Sequence, residues 1–160
     1  FEGMTSVDLV TRRPAVNLVI AGPVFFIEIT GDLAPDDVDA MRAFHLKMAA
    51  RPKSAVVTLV HRIALPNAAT RARASETMKS IQPGTTRVVA LLADGLWASA
   101  ARSVLTGLYL VSGGQHTHTV VTSVDAALDV AAKGTGMPRS TIDACYAAFV
   151  ALKEGRALSA

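Results

Sequence analysis

Cysteine is nearly missing from this chain. Cys145 is the only one, so no internal disulfide can form, and the expected setting is a reducing, cytoplasmic one with Cys145 as a buried, inert thiol. Aromatic residues, at 5%, are too sparse for a base-stacking platform. Charge of one sign is also scarce. Lys and Arg number 16 against 13 Asp and Glu, leaving +3 with no dense basic run, so nucleic acid is not an expected partner. Long hydrophobic runs are lacking too. The stretch from Gly95 to Val111 is interrupted by Arg102 and diluted by Ser99, Ser103 and Thr106, too polar for a spanning helix, and no segment reads as an export signal.

What is present is a 51% hydrophobic chain of 160 residues, enough for one domain with a continuous core. Phe1-Glu2-Gly3 ahead of Met4 reads as a tag remnant, and residues 1–14 together as remnant plus flexible arm. Val16–Ala21 and Val24–Thr30 are β-branched apolar runs parted by Gly22-Pro23, the pattern of a hairpin. Pro35 opens a helix with Asp36 and Asp37 at its positive end, and Val38, Met41, Phe44 and Met48 form its buried stripe. Strands follow at Ser54–Val60, Arg87–Ala93 and Thr117–Val121, separated by helices over Asn67–Ile81 and Leu96–Val111, the latter apolar enough to be largely buried. Thr122 with Asp125 reads as a cap for a fourth helix, and Ser140 with Asp143 as a cap for a fifth over 138–156, whose stripe is Ile142, Cys145, Tyr146, Phe149 and Leu152. The order β-β-α-β-α-β-α-β-α-α predicts an α/β fold: a mostly parallel sheet of four to five strands with one antiparallel edge strand, helices packed on it, and an extra C-terminal helix.

Particular residues in that order carry a resemblance. Phe26-Ile-Glu-Ile-Thr-Gly31-Asp32-Leu33, followed by the amphipathic Asp36–Met48, resembles the second strand, Gly-x-Leu turn and first helix of the STAS domain family (sulfate transporter and anti-sigma-factor antagonist), whose soluble members are SpoIIAA-like. Arg102–Leu110 with Thr119–Leu128 is similar to the late helix, last strand and last helix of diverged members. The likeness spans roughly Val16 to Ala132, so residues 15–133 are expected to be the STAS-like domain. It implies a non-catalytic protein–protein interaction module of bacterial signalling or regulation. The signalling members carry a phosphorylated Asp-Ser-Ser-Gly-like motif after the third strand. Here that stretch is His61-Arg-Ile-Ala-Leu-Pro-Asn-Ala-Ala-Thr70, with Thr70 the only hydroxyl near that place.

Ligands of open α/β sheets favour the carboxyl ends of the parallel strands. Those ends collect Asp32, His61, Arg62 and Asp94, with Asn67 and Thr70 on the adjoining loop. Asp32, His61 and Asp94 could serve a hydrolase, but no marked nucleophile accompanies them, so the expectation is binding and not catalysis. Arg71, Arg73 and Lys79 give the second helix a basic face, either merely solvated or a dock for an acidic partner protein. The expected partner surface is thus Asp32, His61, Arg62, Asn67, Thr70, Arg71 and Arg73. His116 and His118 would share a strand face without a third ligand nearby, so no metal is expected. Gly113-Gly114 ends a helix instead of opening one, so it offers no phosphate cradle, and no cofactor is expected. Trp97 and Tyr109 read as core. The C-terminal stripe packs either on its own domain or in a homodimer. The alternative function is a small-molecule or lipid-binding domain, with an apolar pocket beneath the third or the last helix.

Overall fold

The computed structural model describes residues 7–49, 51, 53–80, 85–111 and 118–155. Six strands form one sheet in sequential order: β1 (Val7–Arg12), β2 (Val16–Ala21), β3 (Val24–Ile29), β4 (Ala55–Val60), β5 (Thr86–Leu91) and β6 (Thr119–Val121). The β1–β2 and β2–β3 pairs are antiparallel, and β3 to β6 run parallel. The expected α/β fold is therefore present, with two corrections. The sheet has six strands and two antiparallel pairs, not four to five strands and one antiparallel edge. The segment expected as a flexible arm holds β1, because Val7–Arg12 can pair its backbone with the open edge of β2.

The helices are α1 (Pro35–Ala49), α2 (Ala68–Ser80), α3 (Gly95–Val111), α4 (Val124–Thr135) and α5 (Arg139–Lys153). Their starts follow local chemistry. Asp37 accepts the Ala34 N–H at 2.9 Å in the first turn of α1, and Asn67 accepts the Thr70 N–H at 2.9 Å ahead of α2. Ser123, one residue after the expected Thr122, caps α4 by accepting the Ala126 N–H. Ser140 lies inside α5, which starts behind Pro138 without a side-chain cap, and Asp143 instead accepts from Arg139. Arg139 also reaches Asp125 and Asp129, tying α5 to α4.

Side-chain alternation along the strands gives the sheet two apolar faces. Val19, Ala21, Val24, Phe26, Val57, Leu59, Val88 and Ala90 face α4 and α5, where Ile142, Cys145 and Phe149 are fully buried. The C-terminal stripe is thus covered by the chain's own sheet, and Phe26 stacks on Phe149 at 5.0 Å. Burial pushes the Cys145 thiol up to about 11, as expected of an inert cysteine. Leu18, Ile20, Phe25, Ile27 and Val56 face the other way, onto Met41, Phe44 and Met48 of α1.

The α4 face is packed to contact at Gly134. A Cβ there would stand 1.9 Å from Thr86 Oγ1 and 2.4 Å from Thr86 Cβ. A helix-interior Gly→Ala change ordinarily stabilises, but here overpacking dominates. We expect Gly134→Ala to destabilise by about 1–3 kcal/mol, with Thr86→Ala recovering part of the loss. Urea unfolding of the three variants checks this, and a neutral or stabilising Gly134→Ala would refute the close contact.

Candidate functional site

The second face of the sheet is covered less completely. Helix α1 lies on it directly, but α2 packs on α1 and α3 instead of on the strands. Helix α3 meets the sheet through Ala101, Trp97 and Leu105, which join Val89 and Leu91 in a small separate cluster. Beneath α2 and α3 the sheet and helices line a half-open cavity of about 180 Å³. Ile27, Ile29, Val56, Val60, Val89 and Leu91 make its floor; Met41 and His45 of α1, Ala74 and Met78 of α2, and Ala101, Val104 and Leu108 of α3 make its walls. The few polar groups on it are Thr58, Thr70, Thr77, His45 and His118. The expectation that α3 is largely buried needs correction. Leu96 and Leu110 are 91% and 75% exposed, because α3 turns Trp97, Ala101, Leu105 and Leu108 to the sheet and cavity and leaves these two on its other side.

At the carboxyl ends of the parallel strands the cavity is bordered by the loop after β4, whose Ile63, Ala64, Leu65 and Pro66 line it. Several residues expected at the site turn out to hold this loop. Asp32 accepts the Ala64 N–H at 3.3 Å. Trp97 Nε1 donates to the Ile63 carbonyl at 2.7 Å, and Arg71 to that of Pro66 at 2.8 Å. Thr70 is 1% exposed and donates to the Leu33 carbonyl, so its hydroxyl is occupied within the rim. Arg73 is paired with Asp39 of α1, and Arg62 and Asn67 stand exposed on the loop.

No family model, curated protein or solved structure matches this chain. Its site is therefore read from its own geometry.

His61 leaves the group. Ala55, Val57 and Leu59 face α4 and α5, and His61 continues that alternation to the same side. There its Nε2 sits 2.9 Å from Glu28 Oε2. Glu28, 4% exposed in the middle of an otherwise apolar strand, also accepts from Lys153 at 2.8 Å and Asn17 at 3.1 Å. Asp94 lies exposed at the start of α3, in a shallow depression with Ser99 and Arg102. Asp32, His61 and Asp94 share no hydrogen bond or ion pair among the described residues. His116 and Gly113-Gly114 lie outside the described residues, as does the side chain of Tyr109. No group of three or more metal-ligating side chains occurs among those described.

Glu28, Arg87 and His45 were not singled out by sequence reasoning. A lone acid within Val24–Ile29 and a lone base opening Thr86–Leu91 were the available signals, since a charge in a two-face-buried strand must find a specific environment. Burial raises the Glu28 pKa, but hydrogen bonds from Lys153, His61 and Asn17 outweigh it and leave the carboxyl below its ordinary value of 4.5. A depressed carboxyl stabilises the fold above its unfolded pKa, and the contribution fades as pH falls through the folded one. Glu28→Ala should therefore cost about 1.5–3 kcal/mol at pH 7 by removing the charged hydrogen bonds from Lys153 and His61, with the gap from the parent closing below pH 4.5. Urea midpoints from pH 7 to 3 test it; a gap that widens in acid would contradict the ion-pair account.

Proposed function

We propose that this chain is a non-catalytic binding domain that holds a small apolar ligand between its sheet and helices α1 to α3. The observation that carries the reading is the apolar cavity of about 180 Å³. Protein interiors are normally packed without such voids, and cavities of roughly 150 Å³ accept benzene-sized guests. The space follows from the architecture, since α2 lies over α1 and α3 and leaves the floor strands uncovered. A convergent minority of polar groups at the ends of an apolar pocket is the usual composition of a ligand site.

Toluene and short alkanes should raise the melting temperature by several degrees, because saturation at 100 times Kd adds about 2.7 kcal/mol. Ala101→Phe, which places a ring in the cavity, should abolish the rise while preserving the circular dichroism spectrum. Absence of any shift across such probes, together with no ligand mass lost on denaturation in native mass spectrometry, would sink the reading.

A second reading is a STAS-like protein-docking module working at the same rim. It is favoured by the exposed Leu65 (39%) on the loop that Arg71 holds at Pro66, a pairing of apolar and cationic surface suited to an acidic partner. Charge reversal at Arg71 and Arg73 should weaken such a complex at least tenfold, roughly the effect of losing one charged contact. Unchanged binding would remove this surface from consideration.

A further inference from the structure

Side-chain alternation puts Val56, Thr58 and Val60 of β4 on the cavity floor. The parallel register sets Thr58 between Ile27 of β3 and Val89 of β5. Both of those neighbours are apolar and buried, yet Thr58 is only half-buried, because the cavity lies over it. Among the described residues its hydroxyl meets no hydrogen-bond partner, and it is open to the cavity. Most other polar groups of the lining are already engaged. Thr70 donates to the Leu33 carbonyl, and Thr77 and His118 have interactions of their own within the protein. His45 stands edge-on to the Phe25 ring at 5.2 Å. Burial, with Arg87 and His118 nearby, pushes His45 down to about 3, so its ring is neutral. No Asp, Glu, Lys or Arg lines the cavity; Arg87 is buried near His45 without being part of the lining.

We propose that the ligand is uncharged and apolar except for one hydroxyl or carbonyl oxygen, which hydrogen-bonds to the Thr58 hydroxyl on the cavity floor. This rests on the reading of the cavity as a ligand site and adds the chemistry that the site selects. In the empty, half-open cavity solvent can reach the Thr58 hydroxyl. A guest that fills the space displaces solvent, and a pure hydrocarbon leaves the hydroxyl unpaired in apolar surroundings. Leaving such a group unpaired costs more than a made bond contributes. A guest oxygen facing β4 removes that cost. A threonine hydroxyl both donates and accepts, so an alcohol, a phenol or a ketone can meet it. An ionised guest finds no opposite charge on the lining, and burying an unpaired charge is costlier still. The volume limits the apolar body to a single ring or a slim chain of medium length.

Titration calorimetry of the full chain with ethylbenzene and benzyl alcohol, which differ by a methyl in place of a hydroxyl, tests the proposal. The two probes are hydrated differently in water, so the readout is the ratio of their dissociation constants in the parent and in Thr58→Val. That substitution keeps the side chain's shape and removes only the hydroxyl. It should move the ratio at least about tenfold toward ethylbenzene, the scale of one hydrogen bond lost and left unmade. An unchanged ratio, with ethylbenzene still bound, would overturn the role of Thr58 and leave the cavity reading intact. Benzoate and benzylammonium should bind more weakly than benzyl alcohol, and equal or tighter binding of either would overturn the uncharged ligand. Should Thr58→Val fail to fold, the parent protein still decides: the infrared carbonyl stretch of bound acetophenone should lie below its value in an alkane solvent. A stretch at the alkane value would overturn the hydrogen bond. Binding of neither ethylbenzene nor benzyl alcohol, with no shift from toluene, would remove the cavity reading itself.

Discussion

A parallel sheet buried on both sides imposes one demand that the rest of this molecule answers: two apolar faces need helices, and the helices differ in how well they fit. On one face α4 and α5 bring Ala127, Ala131, Ala148 and the large Phe149 into contact with the strands, and Gly134 lets α4 touch Thr86. On the other face α1 packs on β2 and β3, but α2 carries mainly small and polar residues and leans on its neighbouring helices. Helix α3 therefore spans a gap and meets the strands at few points. The cavity is the consequence of that unequal coverage.

The buried charges are arranged along the same division. Glu28 on the tight face is met by Lys153, His61 and Asn17, so the end of α5 is fastened to the centre of the sheet by an ion pair. Lys153 also lies over the Phe149 ring at 5.3 Å, joining the polar link to the aromatic core. On the loose face His45 and His118 line the cavity, and Arg87 is buried near them without being part of its lining. The tight face thus carries its charges in a hydrogen-bonded network at the end of α5, while the loose face holds Arg87 near the two imidazoles. That contrast, more than any single residue, separates the structural network from the candidate site.

The loop from His61 to Asn67 joins the two functional readings. It lines the cavity with Ile63 to Pro66, and its backbone is held by Asp32, Trp97 and Arg71. A guest entering at this end would have to loosen those three hydrogen bonds, and a partner docking on Leu65 would cover them. The shape of the rim is thus set by three hydrogen bonds of modest strength, two of them exposed and that of Trp97 part-buried.

Element types and order were legible in the residues: the Gly22-Pro23 hairpin, Pro35 ahead of Asp36 and Asp37, and the apolar runs of β4 and β5 all carry their own local signal. Asp32, Asn67, Thr70 and Arg71 stand around the strand-end loop, because such loops collect polar residues, and their hydrogen bonds hold that loop and the start of α2. The strand at Val7–Arg12 was not legible, since edge pairing is decided by an open neighbour and not by periodicity. Nor was the separation of His61 from Asp32, which follows from strand alternation. Local sequence therefore determined which segments are helix or strand and which faces are apolar, because those depend on near neighbours along the chain. Only the tertiary structure decided that α2 and α3 stop short of the sheet and that His45, Arg87 and His118 meet across three elements, because both depend on how side chains distant in sequence fill the space between layers.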